Sequence, residues 1–411
     1  MTNSKFTKTS EAVSIGHPDK VADQIADSIF DLLREYKDDA QSAVEVACGA
    51  NSILIFGEID KDVVWNNVNY LDKNEQRVSY INPELSKQIT ETATDLIRKI
   101  GYSQAQYNPL IILDLVVQSP EINGAVEGTE EKDPAAGDQG IVSGYATNET
   151  TDYHSLHFIL AHRILERLEE LRIDKTISFL LPDAKSQVTV EYEKNDKGFE
   201  VPVAIKHILV SQCHTNEVSI ESLREILSTI VVSYCELFIP TVIVDKNVRA
   251  KLIESLLETE ILINPAGSWN VGGPRADSGL LGRKLVVDNY GSAAPIGGGA
   301  TSGKNLNKVD RSGAYYARNI AKSIVGSGLA DKALVELSFA IGVPKPTSIN
   351  IETFGTEKIP VEEIFEKVIN SYKLDVRDMI NLSSSIDKFV KTSKHGNYTN
   401  DSFPWEIIRE L

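Results

Sequence analysis

The stretch from residue 272 to residue 311 combines glycines with cations. It reads GGPRADSGLLGRK at residues 272–284 and PIGGGATSGKNLNKVDR at residues 295–311. Glycines let backbone N–H groups approach a ligand closely, and Arg283, Lys284, Lys304 and Lys308 add positive charge. The chain as a whole is acidic, with a formal net charge of −17. The pattern therefore indicates a local binding site for a polyphosphate.

Part of this stretch matches the phosphate-binding P-loop. Residues 298–304, GGATSGK, satisfy the spacing GxxxxGK, which is typical of nucleotide hydrolases and kinases. Asn305 stands where a P-loop needs a Ser or Thr hydroxyl for magnesium, and the preceding DNYGSAAPIGG does not read as a strand. A glycine-rich phosphate loop of another fold and a flexible surface loop are the alternatives.

Two further motifs carry chemistry. GHPDK at residues 16–20 places His17 and Asp19 at a predicted helix start, where free N–H groups and the helix dipole favour an anion. His17 could donate to a phosphate or ester oxygen while Asp19 holds a divalent cation; a structural histidine is the alternative. PDAKSQVT at residues 182–189 predicts a turn that points Asp183 and Lys185 into one cleft, with an exposed ion pair as the alternative.

A helix is predicted over residues 18–36, because its apolar residues recur at helical spacing and Pro18 suits a first turn. These apolar residues are Val21, Ile25, Ile29, Leu32 and Leu33. The opposite side carries aspartates four residues apart, namely Asp19, Asp23, Asp27 and Asp31. We expect the last three to form a solvated face rather than a metal-binding stripe.

The rest of the chain mixes helices and strands, which predicts an α+β fold. Predicted helices cover residues 85–100, 152–171 and 220–234. Predicted strands cover residues 44–58 and 110–117, both expected to be buried, and residues 177–181, 187–193, 199–211 and 241–244. The polar, glycine-bearing loop after Gln118 is predicted to be a lid.

Bulk properties exclude several classes of protein. A chain of 411 residues predicts two or three domains, and its acidity argues against a general nucleic-acid or anionic-membrane surface. The three cysteines form no CxxC pair, which favours a reduced, cytoplasmic setting. We expect no targeting segment and no run long enough to span a bilayer. His154, His157 and His162 lack the HExxH pattern, so we expect surface and core packing.

The motifs, taken together and in order, resemble the S-adenosylmethionine synthetase (methionine adenosyltransferase) family nearly end to end. The matching segments are GHPDK, QSPEI at 118–122, GDQG at 137–140, GYATNET at 144–150, PDAKSQVT, GGP at 272–274, GLLGRK at 279–284, GGGATSGK at 297–304, KVDRS at 308–312, AIGVPKPTS at 340–348, ETFGTEK at 352–358 and FPWE at 403–406.

The resemblance implies a fold and an assembly. The fold is three similar, interleaved domains of the βαββαβ type in a pseudo-threefold arrangement, with sequence segments 1–128, 129–271 and 272–411. The assembly is a homodimer or a dimer of dimers whose active sites lie between two subunits. The implied partners are ATP and methionine, with no nucleic acid and no membrane.

The resemblance also implies a reaction. Methionine sulfur attacks C5′ of ATP and displaces the whole triphosphate, which is then cleaved to phosphate and pyrophosphate. The site must align sulfur and carbon and stabilise a highly charged leaving group. Two Mg²⁺ ions per site and K⁺ are implied as cofactors.

Residue roles follow by match to the family's motifs. The implied catalytic residues are His17, Lys185, Arg283 and Lys304. The implied ATP contacts are these four together with Asp183, Ser268, Trp269, Asp277, Lys284 and Ala300. Methionine contacts are Glu58, Gln118, Asp277 and Lys308; magnesium is assigned to Asp19 and Asp310, and potassium to Glu45.

The chain departs from the family pattern at several positions. Ile15 replaces an acid, Leu181 replaces an arginine, Pro295-Ile296 replaces a dipeptide containing histidine, and Ser268-Trp269 replaces Arg-Phe. Trp269 keeps a flat aromatic face for adenine, but one cation is lost. A catalytically silent homologue that binds ATP is the alternative, and intact His17, Asp19 and Lys185 argue against it.

Overall fold

The computed structural model describes residues 5–64, 81–119, 126, 128, 133–195 and 199–411. Its strands are β1 (Phe6–Val13), β2 (Ser42–Cys48), β3 (Ser52–Ile59), β4 (Leu110–Val117), β5 (Gly140–Thr147), β6 (Leu180–Lys194), β7 (Glu200–His214), β8 (Glu260–Ile263), β9 (Gly279–Leu280), β10 (Lys332–Phe339) and β11 (Ser348–Glu352). Its α-helices are α1 (Pro18–Tyr36), α2 (Lys61–Val64), α3 (Pro83–Ile100), α4 (Leu156–Ile173), α5 (Ile220–Val242), α6 (Lys246–Ser255), α7 (Leu285–Asp288), α8 (Val309–Gly326), α9 (Val361–Ser371) and α10 (Val376–Ser384). Most of the predicted lid lies outside the described residues.

The strands form three sheets, and each sheet draws on distant parts of the chain. The first sheet has the order β1-β6-β7-β8, the second β4-β3-β2-β9 and the third β11-β10-β5. In the first sheet β1 runs antiparallel to β6 and brings Val13 opposite Lys185. The predicted α+β class is confirmed, whereas the segment boundaries at residues 128 and 271 stay a prediction.

Helix α1 has the bounds that its sequence predicts. His17 is the N-cap, Pro18 occupies the first turn, and the apolar side is buried against the second sheet and α3. Val21, Ile25 and Ile29 are fully buried there, so hydrophobic burial holds this helix in place.

The predicted solvated face of α1 is wrong. Asp23, Asp27 and Asp31 are buried, with exposed fractions of 2%, 0% and 5%. Each accepts a backbone N–H from the C-terminal part of the chain, with the donors Gly282, Gly303 and Phe389 respectively. Spacing alone could not show this, because the covering segments come from more than 250 residues further along the chain.

Among the described residues, the second sheet is covered on one face only. Residues 44–58 form two strands, β2 and β3, while β4 has its predicted bounds. The expectation of fully buried strands is wrong for the outer face, where Leu54, Phe56, Leu110 and Ile112 are 36%, 37%, 67% and 43% exposed. The hydrophobic core that includes α1 and α3 lies on the other face.

Two local predictions are corrected, and one strand was missed. Residues 182–185 lie inside β6, not in a turn before it, and a register shift between Leu180 and Ala184 marks the irregularity. The strand predicted over residues 241–244 is wrong, because α5 continues through Pro240 to Val242. Strand β8 was not predicted from the sequence.

Helix α5 also contradicts the expectation that no run could span a bilayer. By length and composition it is long and apolar enough to do so. Leu223, Leu227 and Ile239 on this helix are fully buried in the core beneath the first sheet. One side of this helix therefore packs on the core, while only 28% of its apolar window is buried.

The predicted core packing of the histidines is confirmed, and the cysteines are buried as well. His154, His157 and His162 are all buried, so core packing is right and a surface role is wrong. Their ring nitrogens contact Tyr398 O, Ser10 Oγ and Val287 O respectively. The three cysteines are free, buried thiols.

Candidate active site

Glycines bring three of the sequence motifs into contact at the start of α1. A Cβ on Gly16 would lie 2.4 Å from the carbonyl of Pro182, and a Cβ on Gly279 would lie 2.1 Å from the carbonyl oxygen of Pro18. Such distances are too short for any side chain, so only glycine allows these backbones to meet. GHPDK, PDAKS and GLLGRK therefore share one site.

His17 is held as a neutral hydrogen-bond donor. Its Nδ1 accepts the backbone N–H of Asp19 at 3.2 Å, which leaves the ring proton on Nε2. Burial, together with the ammonium groups of Lys284 and Lys185, lowers the pKa of His17 to about 3. At neutral pH the imidazole is uncharged.

Asp19 gathers the cations that follow β9. Its carboxylate accepts Lys284 Nζ at 2.7 Å and the backbone N–H of Leu280 at 2.9 Å, and Arg283 Nε lies 3.4 Å away. Burial acts to raise the pKa of Asp19, but these hydrogen bonds and the Lys284 charge bring it below its usual value. We call His17, Asp19, Lys185, Arg283 and Lys284 the Asp19 cluster.

A second group of charges surrounds the start of α8. Lys304 Nζ contacts Asp310 Oδ2 at 2.7 Å. Burial raises the pKa of Glu45, and the nearby Lys304 charge partly opposes this shift. Burial lowers the pKa of Lys308, and the carboxylates of Asp138 and Glu58 act against that shift. We call Glu45, Glu58, Lys304, Lys308 and Asp310 the Asp310 cluster.

The two glycine-rich stretches contact each other at Ala300. A Cβ on Gly282 would lie 2.7 Å from Ala300 Cβ, and a Cβ on Gly299 would lie 2.1 Å from Asp310 Cγ. No strand precedes residues 298–304 directly among the described residues, and helix α8 begins only at Val309. This arrangement differs from the strand–loop–helix order of a P-loop.

Asp183 and Lys185 lie two residues apart on β6, close enough for their charges to interact. Asp183 Oδ2 accepts the N–H of Gly273 at 2.7 Å, while Oδ1 has no hydrogen-bond partner among the described residues. Burial raises the pKa of Asp183 to about 7, and the nearby carboxylate of Asp277 raises it as well. Asp277 itself is exposed.

Trp269 is fixed beside the end of β7. The N–H of His214 donates to Trp269 O at 2.9 Å, the N–H of Trp269 contacts His214 Nε2 at 3.3 Å, and the indole N–H donates to Val271 O at 2.7 Å. Ser268, the neighbouring residue, is exposed. Sequence analysis missed His214, because a lone histidine ending a strand carries no distinctive signal.

Gln118 directly follows β4, the edge strand of the second sheet. Its backbone N–H donates to Ile59 O at 3.0 Å, and its side chain is buried. The side-chain Oε1 has no hydrogen-bond partner in the described part of the chain. A buried acceptor without a partner is costly, so this atom is suited to a ligand donor.

Two further residues were missed. Tyr102 donates its hydroxyl to Gly16 O at 2.5 Å and contacts Gly273, so it supports the backbone on both sides of the site. Asp138 lies near Lys308 and belongs to the GDQG motif, whose acid between glycines was a usable signal.

The donor chemistry of Asp19 and Asp310 fits magnesium. Both carboxylates are largely buried, and each is oriented by its contact with a lysine ammonium. Within the described ranges no group of three His, Cys, Asp or Glu side chains is placed to hold a metal. Such a site suits an ion that also takes oxygens from phosphate and water.

Comparisons with known proteins cover nearly the whole chain. Residues 5–118, 133–269 and 271–407 match the models of the N-terminal, central and C-terminal domains of S-adenosylmethionine synthetase. The S-adenosylmethionine synthase of Oenococcus oeni is 39% identical over 98% of this chain and 96% of its own length. That of Thermus thermophilus is 40% identical over 97% of this chain and 95% of its own. The chain therefore belongs to the S-adenosylmethionine synthetase family.

Proposed function

We propose that this chain joins ATP and methionine to form S-adenosylmethionine. The sulfur lone pair forms a bond to C5′, the C5′–O bond breaks, and its electron pair leaves with the tripolyphosphate. Water then attacks a terminal phosphorus of the tripolyphosphate, which breaks the adjacent P–O bond and gives phosphate and pyrophosphate. The observation that carries this proposal is the Asp19 cluster, in which a neutral histidine lies among Lys185, Arg283 and Lys284.

His17 acts on the leaving oxygen. Because its Nδ1 is occupied by the N–H of Asp19, its Nε2–H is the group that donates as charge grows on that oxygen. A neutral donor does not need to lose or gain a proton during the step. A donor of this kind accounts for about 10²–10³ in rate where it has been removed from other enzymes.

Lys185, Arg283 and Lys304 bind the phosphate chain. Arg283 is 48% exposed although its Nε points toward Asp19, so its guanidinium is available to a ligand. Lys304 is bound to Asp310 and Lys284 to Asp19, and a bound triphosphate offers each ammonium a more highly charged partner. Ala300 lies on the loop between these cations.

The nucleoside and the amino acid are assigned to different residues, with Asp277 shared. Trp269 offers its ring to adenine, with Ser268, Asp183 and Asp277 nearby for polar contacts. The unpaired Gln118 Oε1, together with Glu58, suits the ammonium of methionine, and Lys308 suits its carboxylate. Asp277 is assigned to both substrates.

Magnesium and potassium are the proposed ions. Asp19 and Asp310 would hold magnesium, which supplies positive charge to the oxygens of the departing phosphate chain. Glu45 would hold potassium. Lys304 already lies near this carboxylate, so potassium would share Glu45 with a protein cation.

We propose a dimer, or a dimer of dimers, that buries the outer face of the second sheet. Leu54, Phe56, Leu110 and Ile112 form an exposed apolar surface there, and Glu45 and Glu58 point to the same face by strand alternation. The charged residues fall into two clusters, which supports an active site completed by a second copy. A cytoplasmic location is supported by the three free thiols.

The test is product analysis. Purified protein is incubated with ATP, methionine, magnesium and potassium, and the products are identified by mass spectrometry and phosphate assays. We expect S-adenosylmethionine, phosphate and pyrophosphate in equal amounts, and loss of the products when magnesium is chelated. Formation of ADP would instead indicate a kinase, and ATP binding without any product would indicate a silent homologue.

A further inference from the structure

Four aspartates on one side of α1 hold the C-terminal part of the chain through its backbone. Asp19, Asp23, Asp27 and Asp31 are spaced four residues apart, and each is at most 5% exposed. Their carboxylates accept backbone N–H groups at distances of 2.7–3.0 Å from Leu280, Gly282, Gly303, Phe389 and Val390. The helix therefore acts as a fixed row of acceptors for distant loops.

The two middle aspartates repeat one local arrangement. Asp23 Oδ1 accepts the N–H of Gly282 at 2.9 Å, and Asp27 Oδ1 accepts the N–H of Gly303 at 2.9 Å. Gly282 has φ +74° and Gly303 has φ +76°, a conformation that favours glycine. The residue that follows each glycine is a cation of the proposed phosphate site, Arg283 or Lys304.

A second contact fixes each of these backbones. Arg311 pairs with Asp27 at 2.5 Å and donates to Lys304 O at 2.7 Å, so the Gly303-Lys304 dipeptide is held at both ends. Gly282 is held sterically, because a Cβ there would lie 2.7 Å from Ala300 Cβ. Neither loop can shift without breaking a buried hydrogen bond to a carboxylate, which costs more than a neutral one.

The ammonium group of Lys20 lies between the carboxylates of Asp23 and Asp288. Lys20 Nζ lies 3.2 Å from Asp23 and 2.7 Å from Asp288, all three being buried. The loss of Asp23 therefore leaves Lys20 with Asp288 as a partner. This makes Asp23 the better position for mutation, since Arg311 at 0% exposure depends on Asp27.

We propose that Asp23 and Asp27 are positioning residues that fix Arg283 and Lys304, through the preceding glycine N–H groups, where each cation can bind a polyphosphate. Neither carboxylate touches the substrate in this scheme. The inference rests on the proposed function for the role of the two cations, and on the buried hydrogen bonds for the role of the aspartates.

The experiment compares Asp23→Ala, Asp23→Asn and Asp31→Ala. Asparagine keeps an oxygen acceptor for the Gly282 N–H and alanine does not. Asp31 is the matched control, because it is also buried on the same helix. It accepts the N–H groups of Phe389 and Val390, and neither residue is followed by a cation of the proposed phosphate site. Tripolyphosphate binding is measured by calorimetry, kcat and KM by product formation, and folding by thermal melting.

We expect Asp23→Ala to lower kcat about 10²-fold, since misplacement of a binding group by an ångström has this effect. The Kd for tripolyphosphate should rise about tenfold, while the KM for methionine stays unchanged. Asp23→Asn should restore most of both losses. Asp31→Ala should lower the melting temperature comparably and leave tripolyphosphate affinity as in the wild type.

The inference is overturned if folded Asp23→Ala binds tripolyphosphate as tightly as the wild type, or if Asp31→Ala weakens binding equally. Should Asp23→Ala not fold, Asp23→Asn decides the question. Arg283→Ala is then the reference, and a loss of tripolyphosphate affinity in Asp23→Asn as large as that in Arg283→Ala would contradict the role of the acceptor. Failure of the proposed function itself is distinct: the wild-type protein would then form no S-adenosylmethionine.

Discussion

His17 Nδ1 accepts the backbone N–H of Asp19 at 3.2 Å, in the first turn of α1. This hydrogen bond caps the helix and also fixes the tautomer of the imidazole, because the ring proton must then reside on Nε2. The carboxylate of the same Asp19 binds Lys284 at 2.7 Å. One helix start thus orients both a neutral donor and a cation.

The pH profile should show no titration of His17 near neutrality. Burial lowers the pKa of His17 to about 3, so kcat should not change with an apparent pKa near 6.5 on account of this residue. His17→Ala should lower kcat by about 10²–10³ at every pH. An inflection near pH 6.5 that disappears in His17→Asn would contradict this prediction.

The same shift has a consequence for stability. Between pH 6.5 and about pH 3 the imidazole of the unfolded chain is protonated, whereas the imidazole of the folded chain stays neutral. His17 therefore lowers the free energy of unfolding as pH falls through this window. His17→Asn should weaken that dependence in denaturant titrations at pH 4.5 and 7.5.

Lys185→Met should abolish formation of the sulfonium product and leave the fold intact. The substitution keeps the length of the side chain and removes its charge, and Lys185 is exposed. Lys194→Met is the matched control, since Lys194 is exposed at the far end of the same strand β6. Product formation by both variants is the measurement, and wild-type rates in Lys185→Met would remove this residue from the site.

Asp183→Asn should stabilise the fold increasingly as pH rises. The pKa of the unfolded carboxyl is near its usual value of 3.8, whereas burial raises the folded pKa to about 7, so the wild-type free energy of unfolding falls as pH rises between these values. Chemical denaturation at pH 5 and pH 8 measures the difference between variant and wild type. A gain in the free energy of unfolding that is no larger at pH 8 than at pH 5 would show that burial does not raise the pKa of this carboxyl. Because Asp183 is assigned to ATP, activity should fall in the same variant.

Trp269→Phe should raise the KM for ATP about fivefold, because loss of one hydrogen bond is worth about 1 kcal/mol. Phenylalanine keeps an aromatic face but cannot donate to Val271 O, so the ring is less well fixed. The KM for methionine serves as the internal control. Equal changes in both constants would argue against a role specific to the nucleoside.

Phe56→Asp should separate the proposed dimer and abolish activity with it. Phe56 is 37% exposed on the outer face of the second sheet, and a charge there opposes burial against another copy. Leu237→Asp is the control, because Leu237 is 74% exposed on α5. Sedimentation and turnover are measured together; a dimeric Phe56→Asp protein would place the interface elsewhere.

The amino-acid sequence by itself determined the chemistry and much of the local structure. The bounds of α1 and β4 follow from apolar periodicity, and the family follows from motifs of glycines, cations and acids at fixed spacing. These signals are local, since each depends on neighbours within one or two turns or one strand.

Only the tertiary structure decided which face of each element is buried. Asp23, Asp27 and Asp31 follow the pattern of a solvated helix face, yet loops from the far end of the chain cover them. Leu54 and Phe56 follow the pattern of a core strand, yet they are exposed. Whether a face is buried depends on contacts with segments distant in sequence, and the pattern of neighbouring residues does not reveal which segments make those contacts.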